Sequence, residues 1–302
     1  MPRAVHYERL DTERANRASA GLDRLSARAI ATLMNREDAR AVRAVGRQAR
    51  AIAAGVDLIV AALAAGGRLI FVGAGTSGRL GVLEAAECPP TFGTSPRVVQ
   101  AVMAGGRASV FRSREGAEDD GRAAARAVRA RVRSGDVVVG VSASGVTPFV
   151  RQALATARSL GARTIMVACN PDLARLPRAE VVIAPAPGPE VLAGSTRLKA
   201  GTTTKLVLNT LTTASMARLG KVYGNRMIDV QPRSRKLRER AARLVADLGG
   251  VSDAAARRLL RAARNRVPVA VVMARRGLAA GAAARALAAA GSLRAAIGST
   301  AR

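Results

Sequence analysis

Carboxylates and hydroxyls at the ends of apolar runs are the residues in this sequence placed to do chemistry. Glu84 and Glu87 stand three apart in the helix-like stretch "GRLGVLEAAECPP", so they share a face. Glu87 directly precedes Cys88, Pro89 and Pro90, which predict a helix end there. A carboxylate at a helix C-terminus meets the negative end of the dipole, which favours its protonated form and suits a general acid. The alternative is a solvent-exposed acid on a basic surface. Glu115, Glu118, Asp119 and Asp120 form a second acidic cluster, just before "RAAARAVRARVR". That cluster either caps and balances a helix N-terminus or supplies a second acid/base.

Two hydroxyl-bearing turns accompany these acids. "FVGAGTSGRLG" carries G-x-G-x-x-G at Gly73, Gly75 and Gly78, between an apolar run and a helical segment. A dinucleotide site would need an acid at the end of the next strand for the ribose hydroxyls, but "VVQAVM" runs into "AGGR". The turn offers Thr76 and Ser77 instead, at the start of a helix whose amides and dipole favour a phosphate. A twin turn, "SASGVTP", places Ser142, Ser144, Gly145 and Thr147 before "PFVRQALATARSL". Two such turns in one parallel sheet converge at a switch point and share one phosphate, unless Ser142 and Thr147 merely cap their helix.

The elements that must carry these turns are legible as patterns. Apolar positions Ile52, Val56, Ile59, Val60 and Leu63 fall on one helical face within the helical stretch from about 20 to 66, which Gly66-Gly67 stops. Strand-like Val/Ile runs follow at 68–72, 98–103, 136–141, 163–168 and 180–185, with helical patterns between most of them. Short, continuously apolar strands alternating with helices predict an α/β fold: a doubly wound parallel sheet, three layers in αβα order. A long helical run is expected from about 196 to 219, broken by "GKVYGNRMIDVQP". Beyond Pro232 four short helical segments, with Ser252 and Asp253 at one N-cap, predict a small all-helical C-terminal domain. The expected partition is a helical arm over 1–45, a phosphate-binding domain over 46–232, and the helical domain over 233–302.

Composition narrows the function classes. The chain has 302 residues, 49% hydrophobic and 2% aromatic, so the core is built from Ala, Val, Leu and Ile. Lys and Arg number 49 against 21 Asp and Glu, a formal charge of +28, which attracts anions generally. The arginines are scattered through helices without the aromatic interleaving that stacks bases, so a solvated surface is expected, and no nucleic-acid partner. No membrane partner is expected either: no uncharged apolar stretch reaches the roughly 18 to 20 residues of a span, and the N-terminus lacks a signal-like apolar region. With only Cys88 and Cys169, the chain reads as cytoplasmic and without structural disulfides. His6 is the single histidine and the thiols are not in C-x-x-C spacing, so neither a metal site nor a Ser-His-Asp mechanism is expected.

The two-turn layout resembles the sugar isomerase (SIS) domain, a phosphosugar-binding α/β fold. "TERANRASAGLDRLS", "GAGTSGRLGVLEAAECPPTFG", "EGAEDD", "VVVGVSASGVTPFV", "GPEVLAGSTRLKAGT" and "GKVYGNRMIDVQ" together resemble the motifs of the N-acetylmuramic acid 6-phosphate etherases. The resemblance runs from about Thr12 to the C-terminal helices. It implies cleavage of the D-lactyl ether at C3 of that sugar with water, giving N-acetylglucosamine 6-phosphate and D-lactate. The C1 aldehyde of the opened sugar acidifies the C2 proton, loss of the C3 oxygen gives an unsaturated aldehyde, and water adds back at C3. Two carboxylates can serve as base and acid without metal or cofactor. By resemblance these are Glu87, in ECPPTFG, and Glu118, in GAED. Analogy to SIS domains further places Glu190, Arg197 and Lys199 in the pocket, the cations being suited to the lactate carboxylate, and implies a homodimer.

One departure stands out. Family members usually read ASGRTPY where this chain reads "ASGVTPF", so Val146 replaces an arginine. Rival readings are a phosphosugar-sensing SIS regulator without catalysis, acting on a kinase or as a transcription factor through its basic helices, and an aldose–ketose phosphosugar isomerase sharing C2 deprotonation. A sensor has no use for the carboxylate pair.

Overall fold

The computed structural model describes residues 10–170, 172, 174, 176–230 and 234–298, so His6 and Pro232 lie outside the described residues. α1 (Ala27–Gly46) begins at Ser26, whose hydroxyl accepts from the Ala29 amide, and α2 (Ala49–Ala64) buries Ile52, Val56 and Ile59 of the expected face, leaving Val60 and Leu63 half-buried. The strands and helices then alternate: β1 (Leu69–Gly73), α3 (Gly75–Phe92), β2 (Val99–Met103), α4 (Ala108–Phe111), α5 (Gly121–Arg129), β3 (Val137–Val141), α6 (Pro148–Ser159), β4 (Arg163–Val167), β5 (Val181–Ile183) and α7 (Lys199–Arg218). The five strands pair in the order β2-β1-β3-β4-β5, all parallel.

Both faces of this sheet are covered, as its unbroken apolar strands require. Ile70, Val72, Val138 and Met166 join Val150, Ala153 and Leu154 of α6 and Ala124 and Val128 of α5 in one buried cluster. On the opposite face, a Cβ on Gly55 of α2 would lie 3.0 to 3.5 Å from Leu211 of α7, Ile183 and Ile165. Neighbouring residues of β4 thus point to different layers, the period of two expected of a strand. Each fully buried Ile, Val or Phe contributes about 1.5–3 kcal/mol, and the sheet interior is made of little else.

After α7 come a hairpin of β6 (Val222–Tyr223) and β7 (Arg226–Met227), then α8 (Arg235–Gly249), α9 (Asp253–Ala262), α10 (Val267–Arg276), α11 (Ala280–Ala290) and α12 (Leu293–Ile297). Ser252 caps α9, its hydroxyl accepting from the Ala255 amide, as expected. The hairpin and α12 are additions to the four helical segments read in the sequence. These helices share their own core, with Val245, Ala256, Ala270, Val271 and Val272 buried.

Two compact units result, Met1–Ala86 with Pro96–Thr212, and Glu87–Ser95 with Thr213–Arg302. This differs from the expected partition: α1 belongs with the sheet, as expected of α2, and the second unit begins within α7 and takes in Glu87–Ser95. The expected helix end at Glu87 is also corrected, because α3 continues through Pro89 and Pro90 to Phe92. Those prolines deprive the carbonyls four residues back, on Ala85 and Ala86, of their amides. The helix persists because Cys88 and Phe92 are buried and Gly93 N closes the last turn on Pro89 O at 3.0 Å.

Candidate active site

Gly73 ends β1 in register with Val141 at the end of β3, so the turns that follow these strands are neighbours. They lie where the strand order reverses, the usual ligand position in an open α/β sheet. In the first turn, a Cβ on Gly73 would sit 2.7 Å from Gly78 N, and one on Gly78 would sit 2.4 Å from Met103 Sδ. The outer glycines therefore let helix and strand close on each other, while Gly75 has φ +53. The first helical bond runs from Gly78 N to Ala74 O at 3.1 Å, which leaves the amides of Gly75, Thr76 and Ser77 outside the helical ladder.

The second turn spends its hydroxyls on one another. Ser142 Oγ lies 2.7 Å from Thr147 Oγ1 and 3.4 Å from Ser144 Oγ, accepts from Gly145 N at 3.1 Å, and Ser144 Oγ accepts from Val146 N at 3.3 Å. Thr147 occupies the N-cap of α6, yet its side chain makes no capping bond. Capping of α6 therefore does not account for Thr147. Gly145, with φ +77, shapes the turn from behind.

Between the turns lies a cleft of about 430 Å³ whose lining includes Gly75, Thr76, Ser77, Ser142, Ser144, Thr147 and Glu118. Glu118 reaches it because Phe149 N donates to the Glu118 carbonyl at 2.9 Å, fastening its loop to the start of α6. The acidic cluster divides its labour: Asp120 caps α5 by accepting from Ala123 N at 2.8 Å, whereas Glu118 and Asp119 line the cleft. Val146, the departure noted in the sequence, is buried and lines the cleft too. Glu13 also lines it, hydrogen-bonded by Thr12 Oγ1 at 3.1 Å, and had no separate signal in the sequence beyond its motif.

Other expected residues lie elsewhere. Glu84 and Glu87 do share the stretch of α3 expected of them, but Glu84 is buried, accepting from Asn209 Nδ2 at 2.7 Å and Thr212 Oγ1 at 2.6 Å. Glu87 is exposed and is not among the residues lining the cleft. Gly145, Glu190, Arg197 and Lys199 do not line it either. Glu190 instead sits under α7, its two oxygens accepting from Lys199 N and Ala200 N, each at 2.9 Å. Burial pushes its carboxyl up, only partly offset by those amides and the Lys199 charge.

Lys199 is 1% exposed, and its Nζ donates to Glu37 Oε2 at 2.7 Å and Pro187 O at 3.3 Å. It is therefore turned away from any solvent-borne ligand, contrary to its expected place. Glu37 also accepts from Asn16 Nδ2 at 2.8 Å, and the same amide donates to Pro189 O at 3.1 Å. Burial raises the Glu37 carboxyl, but hydrogen bonds from Lys199 and Asn16 and the charges of Lys199 and Arg40 outweigh it and hold the group below its usual range. This network ties α1 and Asn16 to the 187–199 segment, which brings Gly194 and Thr196 to the cleft. Sequence reasoning missed Glu37 because its partner lies 162 residues away.

A larger hollow, about 1090 Å³, is a trough along β2 whose lining takes in Glu115 and Asp120 but neither hydroxyl turn nor Glu87 or Glu118. A small annex of about 120 Å³ opens beside the cleft and shares Ala74, Gly75 and Glu118 with it.

Comparison with known proteins bears on this arrangement. The family model for the glucokinase regulatory protein N-terminal SIS domain matches residues 51–158. An N-acetylmuramic acid 6-phosphate etherase of Gloeobacter violaceus is 54% identical over 274 residues, covering 90% of this chain and 89% of its own. The corresponding etherase of Symbiobacterium thermophilum is 50% identical, with 89% of each chain covered. Among solved structures, a phosphoheptose isomerase from Neisseria gonorrhoeae superimposes with a TM-score of 0.50 at 19% identity, covering 64% of this chain and 100% of that one. That likeness bears on the fold alone.

Proposed function

The chain belongs to the N-acetylmuramic acid 6-phosphate etherases, and from that premise we propose how its residues divide the reaction. As an etherase it cleaves the D-lactyl ether of N-acetylmuramic acid 6-phosphate with water, giving N-acetylglucosamine 6-phosphate and D-lactate. The phosphate is held between the turns after β1 and β3, by the hydroxyls of Thr76, Ser77, Ser142, Ser144 and Thr147 and the free amides at the start of α3. Glu118, at the edge of the same cleft, works as acid or base on the sugar carbon or the departing oxygen. The observation that supports this most is its position in one lining with both hydroxyl turns. Glu87 is the second carboxylate of the proposal, on the strength of its ECPPTFG motif.

The chemistry follows from what a carboxylate pair can do. One carboxylate removes the C2 proton acidified by the C1 aldehyde, and a carboxylic acid protonates the C3 oxygen as the ether breaks. The same groups then deliver water to C3, so no external electron carrier is required. The enzyme is further proposed to be a cytoplasmic homodimer, testable by light scattering, where a monomer would reject the pairing. For the reaction, turnover in heavy-oxygen water should release D-lactate and place the label at C3. An aldose–ketose isomerase would release no lactate.

A further inference from the structure

The substrate carries two anionic ends, a phosphate and the carboxylate of its lactyl group, and among the described residues the cleft offers no cation for the second. No described Lys or Arg lines it, while Glu13, Glu118 and Asp119 do. The annex differs in character, for Arg79 and Arg114 line it together with Glu115, Ser109 and Ser113. Arg79 is held rigidly: Nε donates to Val110 O at 2.8 Å and Nη2 to Ser109 O at 2.9 Å. Its Nη1 makes no bond to the described residues. Ser109 is 3% exposed and its Oγ has no hydrogen-bond partner among the described residues, an orphaned donor in the wall of a polar chamber.

We propose that the annex is the subsite for the lactyl carboxylate, bound by Arg79 and Arg114 with Ser109 Oγ as an additional donor. This rests on the etherase reading and deepens it. The annex, about 120 Å³, is much smaller than the cleft beside it and is large enough for the lactyl arm. The consequence is positional: with phosphate among the hydroxyls and carboxylate among the arginines, the ether oxygen falls near the junction of the chambers. Glu118 lines both, so it stands where the bond breaks. The arrangement assigns to Arg79 and Arg114 the task that the sequence suggested for Arg197 and Lys199. A pre-oriented guanidinium facing a carboxylate is the strong form of this contact.

The test compares the natural substrate with its lactamide, in which the carboxylate is neutral, for the wild-type enzyme, Arg114→Ala and Arg79→Lys. Wild-type enzyme should favour the acid by about 10- to 100-fold in kcat/KM, the worth of a hydrogen-bonded charge. Both variants should lose most of that preference, while inhibition by N-acetylglucosamine 6-phosphate, which lacks the lactyl arm, stays at the wild-type level. Arg114 is exposed, so its variant should fold even if Arg79→Lys loosens α4. Full retention of the acid preference in Arg114→Ala and in folded Arg79→Lys would overturn the subsite. Lactate release by the wild-type enzyme is read in the same assay, so failure of the reaction itself is separable from failure of the subsite.

Discussion

Glu118 and Glu87 are assigned complementary proton transfers, and a glutamine at either position preserves shape while removing the proton. Glu118→Gln should lower kcat by about 10²–10⁴-fold while leaving inhibition by N-acetylglucosamine 6-phosphate unchanged, and Glu87→Gln should lower kcat similarly. Full turnover in either variant, measured by lactate release, rejects that residue's role. The buried Lys199–Glu37 pair makes a different prediction. Glu37→Gln strands a buried ammonium and should cost about 3–5 kcal/mol in urea unfolding. The carboxyl of Glu37 sits below its usual value near 4.5, so its contribution is present above that value and fades as pH falls through the folded-state pKa. The stability gap between wild type and Glu37→Gln should therefore narrow only in acid. Cys169, buried and with its thiol pushed up to about 12 chiefly by burial, should resist alkylation at neutral pH until the protein unfolds.

Strand, turn and helix form the working element, and its tolerances are tight. Gly78→Ala should cost about 1–3 kcal/mol and weaken phosphosugar binding, because the added methyl meets Met103 and the Gly73 carbonyl. Thermal melts and product inhibition check both. The five strands were readable because buried parallel strands are unbroken Val/Ile runs, and the hydroxyl turns because they end two of those runs. The hairpin of β6 and β7 was not, since two residues per strand carry no period. Pro89 and Pro90 misled for another reason: a local backbone rule was overridden by the burial of Cys88 and Phe92 beside them. Glu13, Arg79 and Ser109 sit in segments that could be quoted, yet which of their atoms meet is decided by chain reversals that spacing does not encode.

At the scale of the molecule, the charge of +28 surrounds a cleft whose own lining is acidic and hydroxylic. Attraction of a substrate with two anionic groups is then a property of the whole surface. Raising ionic strength from about 0.01 M to about 1 M shortens the screening length from about 30 Å to about 3 Å, and kcat/KM should fall with it while kcat changes little. An unchanged kcat/KM would argue that the arginines act only locally. Among the described residues no single helix is long and apolar enough to cross a membrane. A last consequence follows from Thr147, which stands at the N-cap of α6 with its hydroxyl paired to that of Ser142 rather than to a helix amide. Pro148 has no amide and Phe149 N is bonded to the Glu118 carbonyl, so the start of α6 leans on the Glu118 loop, and in the proposed binding mode the phosphate braces both. Occupancy and folding are then coupled by mass action: at one hundred times Kd, ligand adds about 2.7 kcal/mol to the stability of the fold. Hydrogen exchange at the Phe149 amide should slow when inorganic phosphate or product is added, making that bond a reporter of whether the site is filled.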